Sequence, residues 1–284
     1  MKYVAFLDVL GFKDKLGKMK QYEAAEFIGN FSTTAFRQWE NENISKLKGY
    51  IVSDSFVIYS DDTSCEALEE MVRVVTNICR KEFADNSILL RGAIAKGDFE
   101  KLEAKEISTL QKGLIVGQAY VDAYLLEGTV KSTGIVLSAD VYEDLINIGT
   151  YSDNLFKETI DKKTHYILRY LTLDFLLVED NLANFVKLAT ESEWLPHYYN
   201  TIYFSLQREK NTKKVHQIFA NILDLVCENH PNENWRAIDV FIKNAFDSNV
   251  IDDFKTRFLK YIRQNIFNTS TPNSLYNEQI EKLL

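Results

Sequence analysis

The sequence predicts an α+β domain over residues 1–175 followed by a helical region over residues 176–284. Three observations carry this. Short runs of β-branched and aromatic residues alternate with helix-period segments through the first part. Strand signals then stop, and the later apolar residues recur at helical spacing. The chain of 284 residues is 46% hydrophobic and 26% charged, so it can bury a core without disulfide staples.

Residues 3–10 are apolar around one acid, Asp8, and stop at Gly11, as a buried strand does. Residues 21–40 place Ala24, Phe27, Ile28, Phe31 and Ala35 at helical spacing. GYIVSDSFVIYSDD (49–62) sets two β-rich runs either side of Ser53-Asp54-Ser55, a strand pair turning at the aspartate. Residues 68–83 form an amphipathic helix with Leu68, Met71, Val72, Val75, Ile78 and Cys79 on one face, and residues 88–97 a strand. VGQAYVDAYLLE (116–127) is a helix opened by Gly117, with Ala119 and Ala123 one turn apart for close packing. Residues 135–138 are a short strand, 139–146 a helix and 165–171 the last strand. The opening β-α-β-β-α-β order is the ferredoxin-like pattern, with helices on one face of an antiparallel sheet. Residues 182–190, 194–209, 213–227, 235–245 and 251–265 are amphipathic helix candidates, and polar residues 268–279 read as a frayed tail.

Composition narrows the function. With 33 Lys+Arg against 41 Asp+Glu the net charge is −8, without the cationic field a general nucleic-acid binder needs. The basic clusters at 13–20 and 208–214 read as solvated helix ends. Cys65, Cys79 and Cys227 lack metal-ligand spacing and read as reduced thiols, and His165, His197, His216 and His230 are scattered, which argues against a zinc site. No apolar run approaches the ~18–20 residues of a membrane span, and the N-terminal segment turns acidic at Asp8, unlike a signal peptide. The expectation is a cytoplasmic protein acting without membrane or nucleic acid.

Two carboxylates interrupt apolar strands, Asp8 in VAFLDVLGF and Asp54 in YIVSDSFVIY. A strand-end carboxylate is costly to desolvate unless a positive charge balances it. In a ferredoxin-like sheet the first strand and the following hairpin are neighbours, so Asp8 and Asp54 can converge. Paired aspartates suit Mg²⁺ or Mn²⁺ and are the usual apparatus of phosphoryl and nucleotidyl transfer. The alternative is that each aspartate caps a turn. Gly11 and Phe12 allow exposed backbone N–H groups beside such a centre. Gly113 and Gly117 form no phosphate loop with a following Lys-Ser/Thr, and no Gly-x-Ser-x-Gly or Cys/His arrangement supports a nucleophile.

FLDVLGF (6–12) resembles the metal-binding signature of class III nucleotide cyclases, and SDSFVIYS (53–60) their second metal aspartate in a hairpin. LRGAIAKG (90–97) is similar to their Arg-x-Gly-Ile strand, and VGQAYVDAYLLE to their Gly-opened helix ending Leu-Glu. The four blocks fall in order over residues 3–171. AYLLE (123–127), GIVLSADVYEDL (134–145) and SEWLPHYYN (192–200) resemble the pyrimidine cyclases of the bacterial Pycsar anti-phage system.

The resemblance implies that Asp8 and Asp54 bind two divalent ions, Mg²⁺ or Mn²⁺, with the Val9 carbonyl, while amides around Leu10, Gly11 and Phe12 cradle a triphosphate. The 3′-hydroxyl of UTP or CTP would attack its own α-phosphate and expel pyrophosphate. Tyr50, four positions before Asp54, and Leu114 fall where purine cyclases read the base; an aromatic and an apolar residue there favour a smaller one. An ordinary strand tyrosine is the alternative for Tyr50. Val121 and Leu125 stand where purine cyclases carry Asn and Arg, so Arg91 becomes the candidate cation, with a plain salt bridge as its alternative. Lys162 and Lys163 resemble the phosphate-binding lysine segment, and a solvated turn would also explain them. Thr133-Gly134 replaces the Pro-Arg common in the branch. The resemblance further implies a homodimer with the site between protomers, and a cyclic-nucleotide-gated effector that receives the product. An inactive cyclase-like module, binding a nucleotide or a protein, and another palm-type nucleotidyl transferase are the rival readings.

Overall fold

The structure, a computed structural model, describes residues 1–206 except 103–113, 161, 179 and 193, together with positions 209, 211, 214, 217 and 218. The chain divides into two compact units, Met1–Tyr170 and Leu171–Leu284.

In the first unit β1 (Lys2–Val9) runs antiparallel to both β3 (Ser55–Ser60) and β4 (Leu90–Gly97), and β2 (Leu47–Val52) lies outside β3. This β2-β3-β1-β4 order is the ferredoxin-like core that the element sequence predicts. α1 (Phe12–Lys18) and α2 (Gln21–Asn41) connect β1 to β2, and α3 (Cys65–Asn86) connects β3 to β4. β7 (Ile135–Leu137) pairs parallel to β4, and β9 (Lys163–Leu168) and β8 (Leu155–Ile160) complete a seven-stranded sheet, which is therefore mixed. β5 (Glu100–Leu102) and β6 (Leu114–Val116) form a separate ribbon; α4 (Gln118–Glu127) follows it and α5 (Ala139–Ile148) follows β7.

The predicted core face of α3 is the observed one: Leu68, Met71, Val72, Val75, Ile78 and Cys79 are all buried. The Ser64 hydroxyl starts this helix by accepting from the Ala67 amide, a cap worth about 1 kcal/mol. α1, α6 (Leu173–Leu176), β8 and the β5–β6 ribbon are additions to the sequence reading. β8 (LFKETI) is the edge strand opposite β2; its charged residues protect that edge and blur the apolar alternation.

The helices do not all share one face. Phe31 of α2 packs edge-on against Phe56, the register partner of Leu7, whereas Phe6 packs against Tyr120 and Tyr124 of α4. Successive strand residues point to opposite faces, so α2 and α4 lie on opposite sides of the sheet. Gly117 permits the crossing. At φ 148° its backbone presses on the ribbon's approach, where a Cβ would come within 2.2 Å of the Asp98 carbonyl oxygen. Beyond it, Ala119 and Ala123 are fully buried, which lets the helix sit close to β1 and β4.

In the second unit, α6 (Leu173–Leu176), α7 (Asn181–Glu191) and α8 (Leu195–Leu206) are helical, with Phe185 and Tyr198 in edge contact. α7 and α8 cover two of the five helix candidates; the three from residue 213 onward, and Cys227, lie outside the described residues apart from single positions. Cys65 and Cys79 are free thiols, the second buried. Among the described residues no helix is long and apolar enough to cross a membrane.

Candidate active site

Strand register assembles the site. Asp8 is paired with Ser55 on one side and with Arg91 on the other, so three adjacent strands present Ser55, Asp8 and Arg91 in a row on the α4 face. Asp54 immediately precedes Ser55 in the hairpin turn, where Ser53 takes a left-handed φ of 58°. Its carbonyl accepts from the Val9 amide at 3.2 Å, which ties the turn to the end of β1. The Ser55 hydroxyl donates to Asp8 Oδ1 at 2.9 Å, and Arg91 Nη2 stands 3.9 Å from Asp8 Oδ2.

Burial raises the pKa of Asp8; the Ser55 hydrogen bond opposes this, the charge of and hydrogen bond with Asp54 add to it, and Arg91 opposes it again. The Asp54 carboxylate therefore stands near that of Asp8 and disfavours its charge. The donor set is all oxygen and fits a hard divalent cation. Among the described residues no group of three or more His, Cys, Asp or Glu is arranged to hold a metal, so a cation here would draw its other ligands from backbone carbonyl, water or substrate oxygens.

After β1 the chain turns through Gly11, whose φ of 71° and ψ of 20° are left-handed, straight into α1. The Leu10 amide is committed to the Leu89 carbonyl at 2.9 Å, and the Leu10 and Val9 side chains are buried. The Phe12 ring stacks on Phe27 at 6.0 Å. That leaves the amides of Gly11 and Phe12, at the open end of the helix, as the groups this turn can offer an anion.

Tyr50 lies opposite Val57, which is paired with Phe6, so it shares the face of Asp8. Its hydroxyl is shielded and has no hydrogen-bond partner among the described residues, and burial, with Tyr120 and Tyr59 nearby, pushes it well above the usual tyrosine value. Leu114 is paired with Leu102 in the β5–β6 ribbon; its side chain lies outside the described residues.

The two lysines are elsewhere. Tyr166 pairs with Leu137, Leu137 with Ile94 and Ile94 with Ala5, which sets Lys163 level with Lys2 and Arg169 level with Asp8. Lys162, at φ 66°, and Lys163 thus turn at the far end of the sheet, roughly 20 Å along the strand direction from Asp8. Within one chain they do not join the acidic pair. Val121 and Leu125 are 44% and 63% exposed on α4, with Tyr124 beside them at 56%. Thr133 is buried, and a Cβ on Gly134 would come within 2.6 Å of Ile167 Cγ2, so there is no room there for the branch's arginine.

One residue of the site is missing from the sequence reading. Glu127, at the end of α4, is buried and ion-paired with Arg91 Nε. Burial raises its pKa, opposed by Arg91 and reinforced by Asp8. The signal was present: Glu127 continues the Ala119–Ala123 spacing, placing a carboxylate on the buried stripe of the helix.

No protein-family model and no curated protein matches the chain. Among solved structures it is similar to the guanylyl cyclase domain of the RhoGC fusion protein from the fungus Blastocladiella emersonii, with TM-score 0.46 and 15% identity over 59% of this chain and 93% of that one. It is similar to the adenylyl cyclase CyaB from P. aeruginosa, with TM-score 0.43 and 14% identity over 59% and 92% of the two chains. A bacterial light-regulated adenylyl cyclase gives TM-score 0.45 and 12% identity over 67% and 97%.

Proposed function

We propose that the chain is a nucleotide cyclase that converts UTP or CTP to 3′,5′-cyclic UMP or cyclic CMP and pyrophosphate. The observation that carries this reading is that the turn bearing Asp54 is tied to the end of β1 beside Asp8, on a sheet face that also presents Ser55 and Arg91. Asp8 and Asp54, with the Val9 carbonyl, would hold two Mg²⁺ or Mn²⁺ ions. When bound, such ions neutralise phosphate charge and acidify the attacking hydroxyl.

The chain's own groups do the rest. Ser55 fixes the Asp8 carboxylate by donating to Oδ1, which leaves Oδ2, 3.9 Å from Arg91, without that donor. Arg91 sets a fixed positive charge where the leaving pyrophosphate accumulates negative charge. The Gly11 and Phe12 amides offer donors at the start of α1. In the reaction the 3′-oxygen forms a bond to the α-phosphorus, the bond to the pyrophosphate oxygen breaks, and the hydroxyl proton leaves to water. The buried unpaired Tyr50 hydroxyl provides a polar contact inside an aromatic wall, which suits a single-ring base. The exposed Val121, Tyr124 and Leu125 supply an apolar surface for a second copy, with the site completed between two protomers. The product would act through a cyclic-nucleotide-gated effector in the cytoplasm, as an anti-phage signal.

A second reading, a module that binds nucleotide without turning it over, is favoured by one set of observations. Val121 and Leu125 carry no polar group, and both lysines stand far from the acidic pair within one chain. Incubating the protein with Mn²⁺ and each of the four ribonucleoside triphosphates, with mass spectrometry of the products, separates the readings. Cyclic UMP or cyclic CMP that disappears in Asp54→Ala supports the cyclase. Cyclic AMP or GMP overturns the pyrimidine assignment, products longer than one nucleotide indicate a palm-type transferase, and binding without product favours the inactive module.

A further inference from the structure

Arg91 has two competing claims on it. Its Nε is paired with Glu127 from α4, while Nη2 stands 3.9 Å from Asp8 Oδ2, beyond hydrogen-bond distance. A guanidinium beside two neighbouring carboxylates would ordinarily close on them through a fork of two hydrogen bonds. That closed pair would use the same carboxylate oxygens a divalent cation needs.

We propose that Glu127 is a positioning residue: it anchors one edge of the Arg91 guanidinium to the end of α4, so that the arginine stands beside the Asp8–Asp54 pair instead of bridging it. The inference rests on reading Asp8 and Asp54 as metal ligands. Three features of the fold serve this role. Glu127 sits on the buried Ala119–Ala123 stripe, so its backbone is held against β1 and β4. Arg91 is the direct register partner of Asp8, so only its side-chain direction is left to decide. Glu127 itself is buried, and a buried carboxylate requires the cation it holds. The same anchor leaves the Nη groups available to a phosphate.

The test reads Mn²⁺ binding alone, by the electron paramagnetic resonance signal of free Mn²⁺, with no nucleotide and no turnover. In the full chain, Glu127→Gln removes the anchoring charge at nearly constant shape; Arg91 then closes on the aspartates, and Mn²⁺ affinity falls by roughly ten-fold, the scale of one charge-assisted hydrogen bond. Arg91→Ala binds Mn²⁺ at least as tightly as the unaltered chain, and Glu127→Gln added to it causes no further loss. An equal loss in both backgrounds means that Glu127 acts through its own charge, and overturns the proposal, as does an unchanged affinity in Glu127→Gln alone. Should Glu127→Gln melt with altered circular dichroism, Arg91→Lys replaces it. A lysine keeps the charge but cannot be held along one edge, so Mn²⁺ binding weakens; affinity equal to the unaltered chain overturns the proposal. If the unaltered chain binds no Mn²⁺ that Asp54→Asn abolishes, the metal reading itself fails and takes this inference with it. Loss of cyclase activity with the Mn²⁺ pattern intact would strike the function alone.

Discussion

Asp8 is held between opposing influences. Its carboxyl is partly buried, lies near Asp54, accepts from Ser55 and stands 3.9 Å from Arg91. Asp8→Asn keeps the oxygen that Ser55 donates to and removes one of the two repelling charges. Differential scanning calorimetry should therefore show a metal-free melting temperature equal to or above that of the unaltered chain, and no upward shift on adding Mn²⁺. A lowered metal-free melting temperature would mean that the carboxylate is a structural ion pair. Tyr50 gives a complementary case. Its hydroxyl is buried without a partner, so Tyr50→Phe costs the fold little or stabilises it. If that hydroxyl reads the base, kcat/KM for UTP or CTP falls by about ten-fold in the same variant. Steady-state kinetics beside thermal melting separates the two effects.

At the scale of elements, α3 contains a carboxyl that the proposed chemistry does not use. Glu82 is fully buried; one oxygen accepts from Asn86 while the other has no hydrogen-bond partner, and burial pushes it up to about 8. The folded chain thus keeps its proton where the unfolded chain, at the ordinary glutamate value of 4.5, has lost it. Because the folded state binds more protons, this group's stabilisation is present below the unfolded value and is lost as pH rises to about 8. Urea unfolding across that window should show a decline of at most ~1.4 kcal/mol per pH unit from this residue, and Glu82→Gln should flatten it. An unchanged slope in the variant would assign the pH dependence to other groups. α4 is the other element that matters: its buried stripe meets the sheet and ends on Glu127, while its outer side carries Val121, Tyr124 and Leu125.

At the scale of the whole molecule, that outer side bears on assembly. Leu125→Glu places a charge on the exposed apolar patch without disturbing the buried stripe. Sedimentation should show the unaltered chain as a dimer and the variant shifted toward monomer, with circular dichroism unchanged. A unaltered chain that sediments as a monomer would refute the homodimer.

Much of this architecture was legible in the sequence, and for identifiable reasons. The ferredoxin-like core follows from the order of elements, because the apolar runs around Asp8 and Asp54 and the α3 stripe are strongly periodic. The meeting of Asp8 and Asp54 follows from that order, since the first strand and the hairpin must be neighbours. The crossing of α4 to the second face, the charged edge strand β8 and the distance of Lys162 and Lys163 from the acidic pair were not legible. Nor was the pairing of Glu127 with Arg91. Local periodicity reports which side of an element is apolar, and so the sequence by itself determined the core strands, the helices packed on them and the positions of the two acids. Which residues of distant strands stand level, and which carboxylate captures a shared arginine, depend on register and helix placement across the sheet, and these only the tertiary structure decided.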